Sequence, residues 1–197
     1  MRRSLKLALL ALCQVPTAAL AHTGAGDTSG FIHGLMHPLG GLDHQLAMIL
    51  VGIFAYQLGW RAMWLVPLTF VGAMALGGFL GVAGAPAPFI EVGIALSVIA
   101  LSAIVAFGVK PPTAVAMGVV GLSAIFHGHA HGSEMPMDAS AVAYGIGFML
   151  ATATLHAVGI CIGFLIGMTS RSLGDSVYRV AGGLASIAGV AILAEIL

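Results

Sequence analysis

Beyond its first two dozen residues, the chain alternates long apolar stretches with short polar or Pro/Gly-rich breaks. Apolar segments run near 33–58, 62–84, 89–108, 112–132, 140–168 and 176–196, with breaks at 59–61, 84–88, 110–112, 132–138 and 169–175. Each segment supplies the roughly 20 residues that a helix needs to cross the hydrocarbon core. Within lipid, a helix satisfies its own backbone hydrogen bonds. The pattern predicts an all-α, polytopic membrane protein. Its six transmembrane helices form a single domain over residues 22–197, behind a cleavable signal peptide at 1–21.

The signal is read from Arg2, Arg3 and Lys6, the apolar stretch 5–15, and the small-x-small triplet Ala19, Leu20, Ala21. Cleavage there leaves His22 first and outside the cytoplasm; an uncleaved anchor helix is the alternative. Alternation then places the breaks bearing Arg61, Lys110, Arg171 and Arg179 on the cytoplasmic side. The other breaks carry no Lys or Arg but have Glu91, Glu134 and Asp138 nearby, the asymmetry expected of a multi-pass protein. With six spans, both mature termini are expected in the periplasm of a bacterial inner membrane. Glycine pairs at Gly77/Gly81, Gly128/Gly132 and Gly159/Gly163 read as sites where helix backbones approach closely, with no chemistry of their own.

Composition narrows the picture further. Of 197 residues, 59% are hydrophobic and 7% charged, far below the quarter or so typical of soluble domains. A formal net charge of +0 argues against a nucleic-acid binder. Cys13 falls in the expected signal and Cys161 stands alone, so no disulfide framework or cysteine zinc motif is available. No phosphate-binding GxxxxGK[ST] loop is present.

Ionisable residues are costly within a membrane and tend to face a cavity or a partner. Here they cluster. If the first span is one helix, His33, His37 and His44 lie within roughly 40° of one another, with Asp43 about 100° away on the flank. Met48 falls on the same stripe, although Pro38, Gly40 and Gly41 can distort it. The fourth span closes with His127, His129, His131 and Glu134. His127, His131 and Glu134 share a face, while His129 joins them only if the glycine-rich end is broken. Glu91 opens the third span and His156 lies within the fifth. On the expected topology these groups descend from the external surface, with His44 roughly 16 Å below His33.

Imidazole mixed with carboxylate suits zinc, nickel, cobalt, copper or ferrous iron, whereas magnesium and calcium prefer oxygen alone. Ligands at several depths suit an ion that must be held yet released. The candidate metal residues are therefore His37, Asp43, His44, Glu91, His127, His129, His131, Glu134 and His156. Asp43 reads equally as a group that orients His44. His22 and His156, taken singly, read more readily as hydrogen-bonded structure, and the ten methionines as flexible core filler.

HPLGGLDH at 37–44, followed by Met48, Val51 and Gly52, resembles the HPxxGxDHxxxMxxVG signature of the HupE/UreJ family. FHGHAHGSE at 126–134 and ATATLHAVG at 151–159 are similar to its second and third blocks. The likeness extends over essentially the whole chain. It implies a nickel permease linked to hydrogenase or urease maturation, some relatives being assigned to cobalt. It also implies that His37, Asp43, His44, Glu91, His131, Glu134 and Phe70 are functionally important.

The function expected is thus uptake of Ni2+, or Co2+, as a transported substrate, with no prosthetic group and no enzymatic activity. The expected partners are lipid and the ion, not nucleic acid, and the reading allows a homo-oligomer. A zinc-dependent intramembrane hydrolase is the alternative, built from three His, a water and a carboxylate base. A bis-His haem on His44 and His156, or a sensor or subunit of a larger importer, also stays open.

Overall fold

A computed structural model describes residues 27–137, 139–169 and 171–197. The expected signal at 1–21, with Cys13 and the new terminus at His22, lies outside the described residues, as does Asp138. Among the described residues all regular structure is helical. The order is α1 (Asp27–Met36), a 3-10 turn (His37–Leu39), α2 (Leu42–Leu58), α3 (Trp60–Val82), α4 (Ile90–Phe107), α5 (Thr113–Ser133), α6 (Ala141–Gly167) and α7 (Arg171–Ile196). Five of these helices are long and apolar enough to cross a membrane, and α1 with α2 makes a sixth if that bent pair is one span.

The first expected span is therefore not one helix. The chain turns by 79° between Gly30–Leu39 and Leu42–Leu58. Pro38 sits in the first turn of the 3-10 segment, where it supplies no backbone N–H and disfavours helix at the residue before it. Gly41 then opens α2 in extended backbone, φ −104° and ψ 126°. This corrects the single stripe expected for His33, His37 and His44, since no helical wheel spans the bend. A second difference is that α7 begins at Arg171, five residues before the apolar stretch, because its first turns are amphipathic rather than apolar.

Helices α2 and α3 meet with almost no loop. Gly59 stands alone between them at φ 98°, in backbone that a side chain resists. Around this connection α2 occupies the middle of the bundle, packed against α3, α4 and α6, while α3 pairs with α5, α4 with α7, and α1 with α6. Phe54, Phe70, Met48, Met74, Val98 and Leu101 fill the interior. Large apolar side chains such as Leu68, Phe79, Leu150 and Leu184 lie on the outside, an exposed apolar surface of the kind that marks a membrane-facing protein.

The glycines act as the packing signal implied. A Cβ on Gly77 or Gly81 of α3 would run into the backbone of Ile125 or His129 on α5. One on Gly128 or Gly132 of α5 would meet the carbonyls of Met74 or Gly78 on α3. Gly52 and Gly159 bring α2 and α6 together in the same way, and Gly163 receives the ring of Tyr56. This close approach of α3 and α5 sets the rotation of α5, and hence where its histidines point.

Candidate metal site

The bend in the first span creates the site. Because the chain turns by 79° at Gly40 and Gly41, His37 hangs from the 3-10 turn while His44 enters the bundle on α2. Between them and the end of α5 lies a cavity of about 820 Å³, lined among others by His33, His37, Asp43, His44, Glu91, His131 and Glu134. Glu91 comes from the first turn of α4, so α1, the 3-10 turn, α2, α4 and the end of α5 all contribute polar groups to one space.

At the mouth, the Nε2–H of His37 donates to Oε2 of Glu134 at 3.1 Å. That bond is the first reason the Glu134 carboxyl is held below the ordinary carboxylate range. Glu134 therefore stays ionised until the pH falls through that lowered value. His37, His131 and Glu134 each offer a ligand atom within 4.8 Å of the others, the size of a metal-binding group. Tyr144 closes the same corner, its ring 6.0 Å from that of His37.

Below the mouth the imidazoles form a continuous series. Ring centres are 4.6 Å apart from His37 to His131, 4.2 Å from His131 to His44, and 4.7 Å from His44 to His127. Phe70 follows, 6.0 Å from His127, and His156 lies 5.0 Å beyond Phe70. Asp43 is beside His44, with Oδ1 at 2.9 Å from Nδ1, so this carboxylate accepts the His44 Nδ1–H and leaves Nε2 bare. The flank position expected for Asp43 thus becomes an orienting contact. A Cβ on Gly41 would lie 2.6 Å from the same carboxylate oxygen, which explains a glycine there.

What distinguishes this series from ordinary buried polar packing is how little of it is satisfied. His44 Nε2, His127 Nδ1, and both ring nitrogens of His131 and His156 are buried with no hydrogen-bond partner. An unpaired buried polar group costs about 1–3 kcal/mol, so six such atoms on four residues need a reason. A soft or borderline cation that takes up imidazole lone pairs supplies one.

The structure does not bring every candidate together. Helix α5 runs unbroken to Ser133, so His129 faces away from the cavity, and the convergence that a broken end would allow does not occur. Its Nε2–H donates to the Ala85 carbonyl at 2.7 Å, and its Nδ1 lies 3.3 Å from Ser133 Oγ. His129 thus ties the α3–α4 connection to α5. His129→Ala is expected to lower thermal stability, by about 1–3 kcal/mol for the orphaned carbonyl and lost bond. The metal uptake expected from the sequence should stay, per folded molecule, within a few-fold of the parent, as liposome assays normalised to folded protein would report. His156 lies beyond Phe70, 1% exposed, and is not among the cavity-lining residues.

Two contributors have no chemistry that marks them in the sequence, although the family resemblance names Phe70. Phe70 separates the His127 level from His156, but a phenylalanine in an apolar helix looks like filler. Ser97, whose Oγ is 2.9 Å from His127 Nε2, is one more small residue in α4. No local signal marks either of them.

Comparison with known proteins identifies the family to which the sequence is similar. A family model described as HupE / UreJ protein matches residues 10–192. Protein HupE of Rhizobium leguminosarum bv. viciae is 47% identical over 184 residues, covering 93% of this chain and 94% of that protein. No solved structure matches.

Proposed function

The chain belongs to the HupE / UreJ family, and from that premise we propose that it carries a divalent transition metal from periplasm to cytoplasm. Nickel is the first choice and cobalt the second. The observation that carries this reading is the file of buried, unpartnered imidazole nitrogens beneath a carboxylate-lined mouth.

In this reading the chain has six spans in a bacterial inner membrane, the signal at 1–21 is removed, and both mature termini are periplasmic. Positive residues support the orientation. Lys110 and Arg179, with one carboxylate at Asp175, line a separate groove with Gln57, and Gln57 lies thirteen residues along α2 from His44, roughly 20 Å away. The acidic mouth thus faces outward and the basic groove inward. The ion delivered would serve hydrogenase or urease maturation.

An arriving cation replaces the His37–Glu134 hydrogen bond, His37 keeping its single proton on the ring nitrogen that does not ligate, and is taken by His37, His131 and Glu134. Carboxylates at the mouth and at Asp43 offset its charge where water is scarce. His131 also neighbours His44, so the ion can exchange ligands without leaving the file. His44 Nε2 takes it next, its ring held by Asp43. His127, and past Phe70 His156, continue the path inward. No station gathers a rigid full shell, which favours holding and release over storage.

Purified protein in liposomes tests this directly. Nickel should enter and cobalt compete, and Asp43→Asn should reduce uptake by about 10–100-fold, the usual cost of removing an orienting carboxylate. Full uptake in an Asp43→Asn protein that reaches the membrane would count against the path. One zinc per chain, retained through purification with no transport, would instead favour the hydrolase reading.

A further inference from the structure

We propose that Ser97 is a positioning residue that holds His127 in the tautomer protonated at Nε2, so that Nδ1 presents a lone pair to the transported ion. The inference rests on the transport reading above and adds to it a residue from outside the cavity.

The argument is one of counting protons. A neutral imidazole carries one N–H and one lone pair, and the hydrogen bond at one nitrogen decides the role of the other. A serine hydroxyl has a single proton. Ser97 Oγ lies 2.7 Å from the Ile94 carbonyl, one turn back on α4, and 2.9 Å from His127 Nε2 on α5. A carbonyl can only accept, so the Ser97 proton goes to Ile94. Towards His127 the same oxygen is left as an acceptor, and Nε2 must bear the hydrogen. Nδ1 is then bare, and it is the His127 nitrogen that is buried without a partner.

The neighbouring ring is arranged in the complementary sense. Asp43 takes the Nδ1–H of His44 and leaves Nε2 bare. Two adjoining imidazoles, 4.7 Å apart, therefore each have one nitrogen tied and one free. The tie comes from a carboxylate at the wetter level and from a neutral hydroxyl at the deeper one, where Ser97 and His127 are both buried. A hydroxyl adds no second charge to the interior, so it sets the ring without binding the cation too tightly to leave. Were the Ser97 proton instead given to His127, the Ile94 contact would be lost and Nδ1 would carry the hydrogen, closing it as a ligand.

The test combines nitrogen chemical shifts with transport, using the full chain. Protein carrying 15N-histidine in lipid nanodiscs, with the His127 signals identified by their loss in His127→Asn, should show a protonated Nε2 and a bare Nδ1. In Ser97→Ala the tautomers should mix or invert, and nickel uptake into liposomes should fall by about tenfold, at the lower end for groups that orient a ligand. Ser97→Thr retains the hydroxyl and should restore both the tautomer and most of the uptake. Ser97→Cys is nearly the same size but a weak acceptor, and should behave like alanine.

A parent protein with His127 protonated at Nδ1 overturns the proposal, as does a Ser97→Ala protein that takes up nickel like the parent. If Ser97→Ala fails to reach the membrane, the parent spectrum and the Thr and Cys proteins decide the matter in the same terms. Parent liposomes that admit no nickel, with the Nε2–H tautomer intact, would overturn the transport reading and leave the tautomer assignment standing.

Discussion

His131→Ala is expected to lower nickel uptake by about 100-fold or more, the largest effect of any single side-chain truncation in this protein. His131 is the residue through which both levels of the site communicate. Its ring adjoins His37 above and His44 beside it, and it completes the three-ligand group with Glu134. Removing a residue that only orients a ligand already costs about 10–100-fold in metal affinity, and His131 is placed as a ligand itself. Its ring also packs 4.0 Å from that of Phe148, so some loss of stability is expected. The measurement is therefore initial uptake per folded molecule in liposomes, beside His129→Ala from the same helix. Equal uptake by the two variants would mean that the ion does not pass the imidazole file.

Gly128→Val should unfold the site from behind, without touching a ligand. A side chain at 128 meets the Met74 carbonyl and the Gly78 amide of α3, rigid backbone that cannot step aside. Helices α3 and α5 would have to separate. Overpacking of this kind typically costs about 1–3 kcal/mol, and backbone-to-backbone contact lies towards the upper end. His127 and His131 flank this contact on α5, so thermal stability and uptake should fall together. Gly118→Ala makes the matching control on the same helix. Nothing lies within 4 Å of a Cβ there, and alanine is a better helix former by up to about 1 kcal/mol. Thermal unfolding in detergent that places Gly128→Val level with Gly118→Ala would show that the close approach of α3 and α5 does not hold the bundle together.

Much of the fold was legible because a membrane imposes a length and a polarity that can be read locally. The spans near 62–84, 89–108, 112–132 and 140–168 each fall within two residues of a helix at both ends. The 33–58 segment misled because its two halves are both apolar. Hydropathy registers the run, whereas Pro38 and the extended backbone at Gly41 decide that it bends by 79°. His37 and His44 meet His131 all the same, but through the fold of the chain and not along a helical stripe. His129 shows the opposite case. Regular periodicity alone turned it away from His127 and His131, and the helix proved regular.

The partners of the ligands were harder to see. Asp43 adjoins His44 in the chain, so an orienting role could be suspected. Ser97 comes from thirty residues before His127, and a serine bonding back to its own helix leaves no trace in a sequence pattern. Phe70 was marked only by resemblance to the family, since an aromatic residue on a lipid-rich helix carries no sign of standing between two histidines.

By itself the sequence determined that the chain is helical with stretches long and apolar enough to cross a membrane, that six of its eight histidines are gathered in two short segments, and that imidazole with carboxylate suits a transition metal. Hydropathy, helical period and ligand chemistry are properties of residues and their near neighbours. Only the tertiary structure decided which imidazoles adjoin, which nitrogens are bare, and which histidine is merely a strut. Those depend on the rotation of each helix about its axis, set here by glycines that let α3 and α5 touch and by a bend that swings His37 over His44.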